Sequence, residues 1–135
     1  MVKLTQEMKD DLKKIKLIPL ATAGPNGEPN VVPMGMYVLR DDETLWIIDN
    51  FMQKSLENIK KNPRVAFYIW SLDTASAYQV KGNIESIVTD GPLLAEAKVI
   101  ADGMRPGLPT KGLLIMKITD VYSVAPGPMA GKKLL

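Results

Sequence analysis

The sequence has no cysteine and no histidine among its 135 residues. Without cysteine there is no disulfide, no thiolate metal site and no thiol nucleophile. Without histidine the commonest metal ligand and the commonest general base are both missing. Charge of one sign is also lacking: 17 basic residues against 15 acidic ones leave a net charge of +2, too small to argue for nucleic acid. Long apolar runs are absent too, since Val65–Trp70 and Gly112–Met116 are far shorter than a membrane span requires. The amino-terminal segment has neither the apolar region nor the small-residue cleavage site of a signal peptide. These absences together lead to the expectation of a soluble, cytoplasmic protein with no membrane and no nucleic-acid partner.

What is present is ordinary globular composition, 46% hydrophobic and 24% charged. At this length one domain over residues 1–135 is the simplest organisation, burying roughly two-thirds of its unfolded surface. Five lysines (Lys3, Lys9, Lys13, Lys14 and Lys16) crowd the amino-terminal segment and read as a solvated helix face.

The stretch that organises the chain is Asp49–Asn62, DNFMQKSLENIKKN. It closes the apolar strand Leu45-Trp46-Ile47-Ile48 and opens a short helix with a polar first turn. Lys54 and Ser55 fall where a new helix leaves its first N–H groups unpaired. Those groups, the helix dipole, one ammonium and one hydroxyl can hold a phosphate. The same spacing also fits a capping box, with Asn50 as the cap and Gln53 reaching back to it. With no histidine or cysteine to do chemistry, a phosphate-anchored cofactor is the natural agent if this stretch is a site.

In chain order, Thr5 reads as an N-cap, with Met8, Leu12 and Ile15 forming the apolar stripe of a first helix over 1–17. Leu20–Ala23 is a short strand, and Gly24-Pro25-Asn26-Gly27 is a hairpin turn signal. Glu28–Leu39 returns as one long strand, and Pro29, Pro33 and Gly35 predict an edge position or a bulge at Pro33-Met34-Gly35. Met36–Leu39 and Thr44–Ile48 form a second hairpin, and a helix over about 53–61 stops at Asn62-Pro63.

Arg64–Trp70 carries apolar residues on both sides, the pattern of a strand buried on both faces, in a barrel interior or at a dimer interface. Tyr78–Val88 alternates, with Gly82 marking a bend or a close backbone approach. Asp90-Gly91-Pro92 opens a third helix, expected to stop at Gly103. Met104–Lys111 is a connecting loop carrying Arg105 and Lys111, and Gly112–Val124 is the last strand. The tail over 125–135 is a poor helix or strand former and is expected to be partly mobile. Six strands, joined mostly by hairpins, and three helices favour a mainly β (α+β) antiparallel barrel over a doubly wound sheet.

This order of elements resembles the pyridoxamine 5′-phosphate oxidase-like, FMN-binding split-barrel family. The resemblance rests on AGPNGEPNVVPMGMYVLRDD, on LWIIDNFMQKSLENIKKNPRVAFYIW and on YQVKGNIESIVTDGP, and covers the chain from Leu20 to about Val124. It implies a six-stranded antiparallel split β-barrel with flanking helices, paired as a homodimer with FMN at the interface. It further implies that Lys54 and Ser55 grip the FMN phosphate. Asp49, Asn50, Phe51 and Gln53 would line the ribityl chain and one ring edge, while Val32, Pro33 and Met34 present backbone groups to the isoalloxazine. Arg105 and Lys111 are candidates to meet an anionic substrate.

The chain is shorter than the vitamin-B6 oxidases and lacks their histidine-containing substrate contacts, so the resemblance does not extend to oxidation of pyridoxamine phosphate. It implies a small oxidoreductase passing hydride or electrons through FMN. A non-enzymatic FMN carrier, a deazaflavin (F420)-binding reductase and a fold without cofactor remain as alternatives.

Overall fold

The computed structural model describes residues 2–135. Its elements are α1 (Gln6–Lys14), β1 (Ile18–Ala23), β2 (Pro29–Met34), β3 (Tyr37–Asp41), β4 (Thr44–Asp49), α2 (Lys54–Lys61), β5 (Arg64–Trp70), β6 (Ala77–Val88), α3 (Gly91–Met104) and β7 (Gly112–Ser123). The strands form one seven-stranded sheet in the order β2-β1-β5-β6-β7-β4-β3. Every pairing is antiparallel.

The count is seven rather than six because the expected strand 28–39 is broken at Gly35-Met36. β2 lies at one edge of the sheet and β3 at the other. Yet the link from Met34 to Tyr37 reaches at most about 11 Å when fully extended. The two edges must therefore come together, and the sheet curls into a barrel left unpaired at this seam. The prolines fit that place: Pro29 and Pro33 cannot donate to a ladder, and β2 is an edge strand.

Two clusters fill the fold. Inside the barrel Leu20, Ile47, Phe67, Ile69, Val80 and Met116 pack together, closed at one end by Met8 and Leu12 of α1. The Thr5 hydroxyl caps that helix, accepting from the Met8 N–H at 3.3 Å. Outside the barrel, Ala97 and Ala101 of α3 cover Trp46, Ile48 and Leu113. β4 is thus the strand buried on both faces.

β5 is not, contrary to its sequence pattern. Val65, Phe67 and Ile69 point into the core, but on the opposite face Tyr68 is 46% and Trp70 is 54% exposed. An apolar strand face signals burial only when something covers it, and among the described residues Tyr68 and Trp70 are left uncovered.

Gly82 fulfils its reading as a point of close approach: a Cβ there would lie 2.3 Å from the Lys117 carbonyl oxygen across the β6–β7 ladder. α3 runs through Gly103 to Met104 and ends at Arg105, which adopts extended backbone because Pro106 follows it. The tail folds back along β7. Ser123 N–H donates to Lys132 O at 2.9 Å and Leu134 N–H to Val121 O at 2.7 Å. Leu134 and Leu135 pack against the core, so backbone pairing and burial hold a segment whose composition favours neither helix nor strand.

Candidate functional site

A cavity of about 610 Å³ opens at the seam of the barrel. Three segments wall it: Val32, Pro33 and Met34 with Gly35 and Met36; Ile48 and Asn50–Ser55 at the passage from β4 to α2; and Met104, Arg105 and Leu108 at and beyond the end of α3. Of the residues singled out in the sequence, Val32, Pro33, Met34, Asn50, Phe51, Gln53, Lys54, Ser55 and Arg105 all line this one space. They come from stretches far apart in the chain, and the curl of the sheet brings them together.

Asp49 and Lys111 lie behind the wall instead. Asp49 is 1% exposed, and its Oδ1 accepts from the Met52 N–H at 2.8 Å. That bond turns the chain from β4 toward α2. Burial pushes the Asp49 carboxyl pKa up, opposed by the Met52 N–H and by the Lys111 ammonium. Lys111 Nζ donates to Met52 O at 2.5 Å and lies 3.9 Å from Asp49 Oδ2. Both residues hold the Asp49–Met52 bend in shape.

The capping-box alternative is not what forms. Gln53 occupies the cap position of α2 and makes no side-chain cap hydrogen bond. Asn50 is engaged elsewhere: its Oδ1 accepts from Thr110 N–H at 2.9 Å and from Thr110 Oγ1 at 3.2 Å. Its Nδ2 lies 3.3 Å from Met36 Sδ. Asn50 therefore clips the loop after α3 to the α2 entry and touches the seam. The first turn of α2 is left with N–H groups that no side chain caps, directed to the side where an anion is favoured.

Electrostatics follow the same division. Among the described residues neither Lys54 nor Arg105 forms an ion pair. Each cation lines the cavity with its charge uncompensated. Ser55 is 3% exposed, and its Oγ accepts from Asn30 Nδ2 at 3.0 Å. The remaining walls are apolar, with Met34, Met36, Ile48, Met52 and Leu108 contributing. Phe51 stands at the lip, 69% exposed. One end of the cavity suits an anion and the rest suits a flat apolar body.

Sequence reasoning misses Met36, Ile48, Met52, Met104 and Leu108, since apolar residues near a seam look like ordinary core. It also misses Asn30, Thr22 and Asn58, which surround Ser55. A signal for two of these exists: Leu20 and Val32 face inward, so the period of two puts Thr22 and Asn30 on the inner face as well.

Comparison with known proteins places this geometry. An uncharacterized protein of Methanocaldococcus jannaschii, MJ0282, is 39% identical over 137 residues, covering 97% of this chain and 87% of the relative. The crystal structure of HupZ from Group A Streptococcus is 29% identical with a TM-score of 0.80, covering 97% of this chain and 100% of that one. The structure of an F420 reductase is 25% identical with a TM-score of 0.69, covering 88% of this chain and 98% of that one. The model of the pyridoxamine 5′-phosphate oxidase family matches residues 4–125, which contain all seven strands. The chain belongs to the pyridoxamine 5′-phosphate oxidase family and has its FMN-binding split-barrel fold.

Proposed function

We propose that the chain, as one domain over 1–135, is an FMN-binding homodimeric flavoprotein acting as a small oxidoreductase. The observation that carries this reading is the two-sided character of the seam cavity. Its volume of about 610 Å³ falls within the roughly 300–1,000 Å³ usual for small-ligand sites. An uncapped helix start with Lys54 and Ser55 supports a phosphomonoester there, and the methionine-rich remainder supports a planar ring.

Lys54 and Ser55 would hold the phosphate, Asn50 and Gln53 would face the ribityl chain, and the Val32–Met34 backbone would approach the ring. Bound there, FMN supplies hydride or electron transfer, which no side chain of this chain has to perform. Asp49 and Lys111 would act from behind, fixing the bend that carries Asn50 and Phe51. Arg105, which lines the same cavity and forms no ion pair among the described residues, would meet an anionic substrate.

The exposed face of β5 supports the dimer. Register aligns Val31 with Ala21 and Ala21 with Ala66, so these share the face of Tyr68 and Trp70. Pro33, two residues beyond Val31, belongs to the same face and also lines the cavity. An apolar patch continuous with the mouth of the site is what a cofactor groove shared between subunits requires.

An absorbance spectrum of the purified protein tests the proposal, recorded before and after adding FMN and then NADPH. Flavin bands shifted by the protein and bleached by NADPH support a reductase. Bands that persist point to a carrier or to another donor. No bound flavin, even with FMN supplied, overturns the reading.

The likeness to an F420 reductase favours one other occupant of the same cavity, a deazaflavin. Competition of F420 against FMN separates the two, and a preference for F420 would replace the FMN assignment. Replacing both anchors, Lys54→Ala with Ser55→Ala, should weaken FMN binding about 10- to 100-fold, the loss of two charge-assisted contacts. An unchanged dissociation constant would show that the phosphate lies elsewhere.

A further inference from the structure

We propose that Asn30 is a positioning residue for the anion end of the cavity: it occupies Ser55 as an acceptor and so leaves the serine proton for the ligand. The inference rests on the phosphomonoester reading above. A serine hydroxyl has one proton to donate and two lone pairs to accept with. Asn30 Nδ2 donates to Ser55 Oγ at 3.0 Å and to Thr22 Oγ1 at 3.1 Å. Asn58 Nδ2 donates to the same Thr22 Oγ1 at 3.0 Å.

The two donors fill the lone pairs of Thr22, so Thr22 has none left for the Ser55 proton. The amide nitrogen of Asn30 accepts nothing either. Among the described residues Ser55 Oγ donates no hydrogen bond, although the residue is buried and lines the cavity. The unspent proton of Ser55 has one place to go, an acceptor inside the cavity. A phosphate oxygen, next to the uncapped N–H groups of α2 and the Lys54 ammonium, is such an acceptor.

The fold makes this arrangement rigid. Thr22 and Asn30 are directly opposed in the β1–β2 ladder, and Ser55 and Asn58 are three residues apart on the face of α2 that meets them. Two strands and one helix therefore lock four polar side chains in one relay, in which each amide donates and each hydroxyl accepts. The relay leaves Ser55 Oγ as its open end.

The experiment compares FMN with riboflavin, which lacks the phosphate, by fluorescence quenching on the wild type and on N30A, N30D, S55A, K54A and N30A/S55A. N30A should weaken FMN about 3- to 10-fold, as expected for misdirecting one hydrogen bond to a charged group, and leave riboflavin unchanged. N30D should weaken FMN further, because its carboxylate takes the Ser55 proton and repels the phosphate. The double variant should lose no more than S55A alone, since both changes remove the same donor.

Equal losses for FMN and riboflavin, or additive losses in N30A/S55A, would make Asn30 merely structural and overturn the inference. So would an FMN preference that K54A reduces and N30A does not, which leaves the phosphate reading itself intact. A wild type that binds both flavins equally would instead sink the phosphate reading, and the inference with it. Should N30A fail to fold, as judged by circular dichroism, the isosteric N30D carries the comparison.

Discussion

Asn50 and Thr110 lie 60 positions apart in the chain and share two hydrogen bonds, both accepted by Asn50 Oδ1. Thr110 is held there with φ +43°, a left-handed backbone that a β-branched residue rarely adopts. The strain persists because the bonds to Asn50 and the following Lys111 N–H to Asp49 O bond at 2.9 Å fix the loop on both sides. Replacing Asn50 by alanine leaves the buried Thr110 N–H unpaired and should destabilise the fold by about 1–3 kcal/mol in urea unfolding. Asn50→Asp keeps the acceptor and should lose less. Equal stability of N50A and wild type would show that the clip holds nothing.

Gly82 gives a sharper test of the barrel. An alanine methyl would sit 2.3 Å from a backbone oxygen, which cannot move aside as a side chain can. G82A should cost at least the ~1–3 kcal/mol typical of overpacking, because two paired strands have to separate. The denaturation midpoint of G82A beside that of the surface control G103A checks this, since a Cβ at Gly103 meets nothing within 4 Å.

Asp49 sets a pH dependence with an unusual sign for a carboxylate. Its pKa is raised in the fold, by burial before all else. The folded state therefore holds the proton more tightly than the unfolded chain, whose carboxyl titrates at about 3.9. The stability this contributes is present below that value and is lost as pH rises through the higher folded pKa. Asp49→Asn keeps an acceptor for the Met52 N–H and removes the charge. The stability of D49N relative to wild type should rise from about pH 4 upward, until Asp49 is fully ionised in both states. A flat difference across that window would mean that Asp49 does not titrate differently on folding.

Tyr68 and Trp70 test the proposed pairing of subunits. Trp70→Asp with Tyr68→Ser removes two exposed aromatics without touching the core side of β5. Light scattering should then report the 14.9 kDa chain alone, and FMN affinity should fall with the loss of the shared groove. A variant that remains dimeric would place the interface on another face.

How far the sequence carried is clearest at particular residues. Thr5, the turn at Asn26-Gly27, the stop at Asn62-Pro63 and the close approach at Gly82 follow from local rules, and the structure contains each. The break at Gly35-Met36 is different. Local signals mark an irregularity there, but that it sends the chain to the far edge of the sheet depends on the closure of the whole barrel.

The site divides in the same way. Nine of the eleven candidate residues share one cavity, because sequence marks the polar and irregular positions that ligands use. Asp49 and Lys111 look the same in sequence, yet Asp49 is buried and the Lys111 ammonium is held by the Met52 carbonyl, so neither lines the cavity. The apolar walls and the Asn30 relay come from register and curl, which depend on partners in distant strands. The two-sided pattern of β5 was legible as a pattern, but burial also depends on what packs against each face, and Tyr68 and Trp70 are exposed.

The seam between β2 and β3 has a mechanical consequence. Elsewhere adjacent strands are stitched by backbone hydrogen bonds, but these two edges are joined by a short tether, Gly35-Met36, which also lines the cavity. A ligand in the proposed site would touch Val32–Met36 beside the seam and the α2 entry across the cavity, tying the edge strand β2 to that helix. Binding there would stabilise the fold around the seam, so the melting temperature should climb with the concentration of a ligand that fits. The cavity lies beside the unfinished joint of the barrel, where a guest would act as mortar.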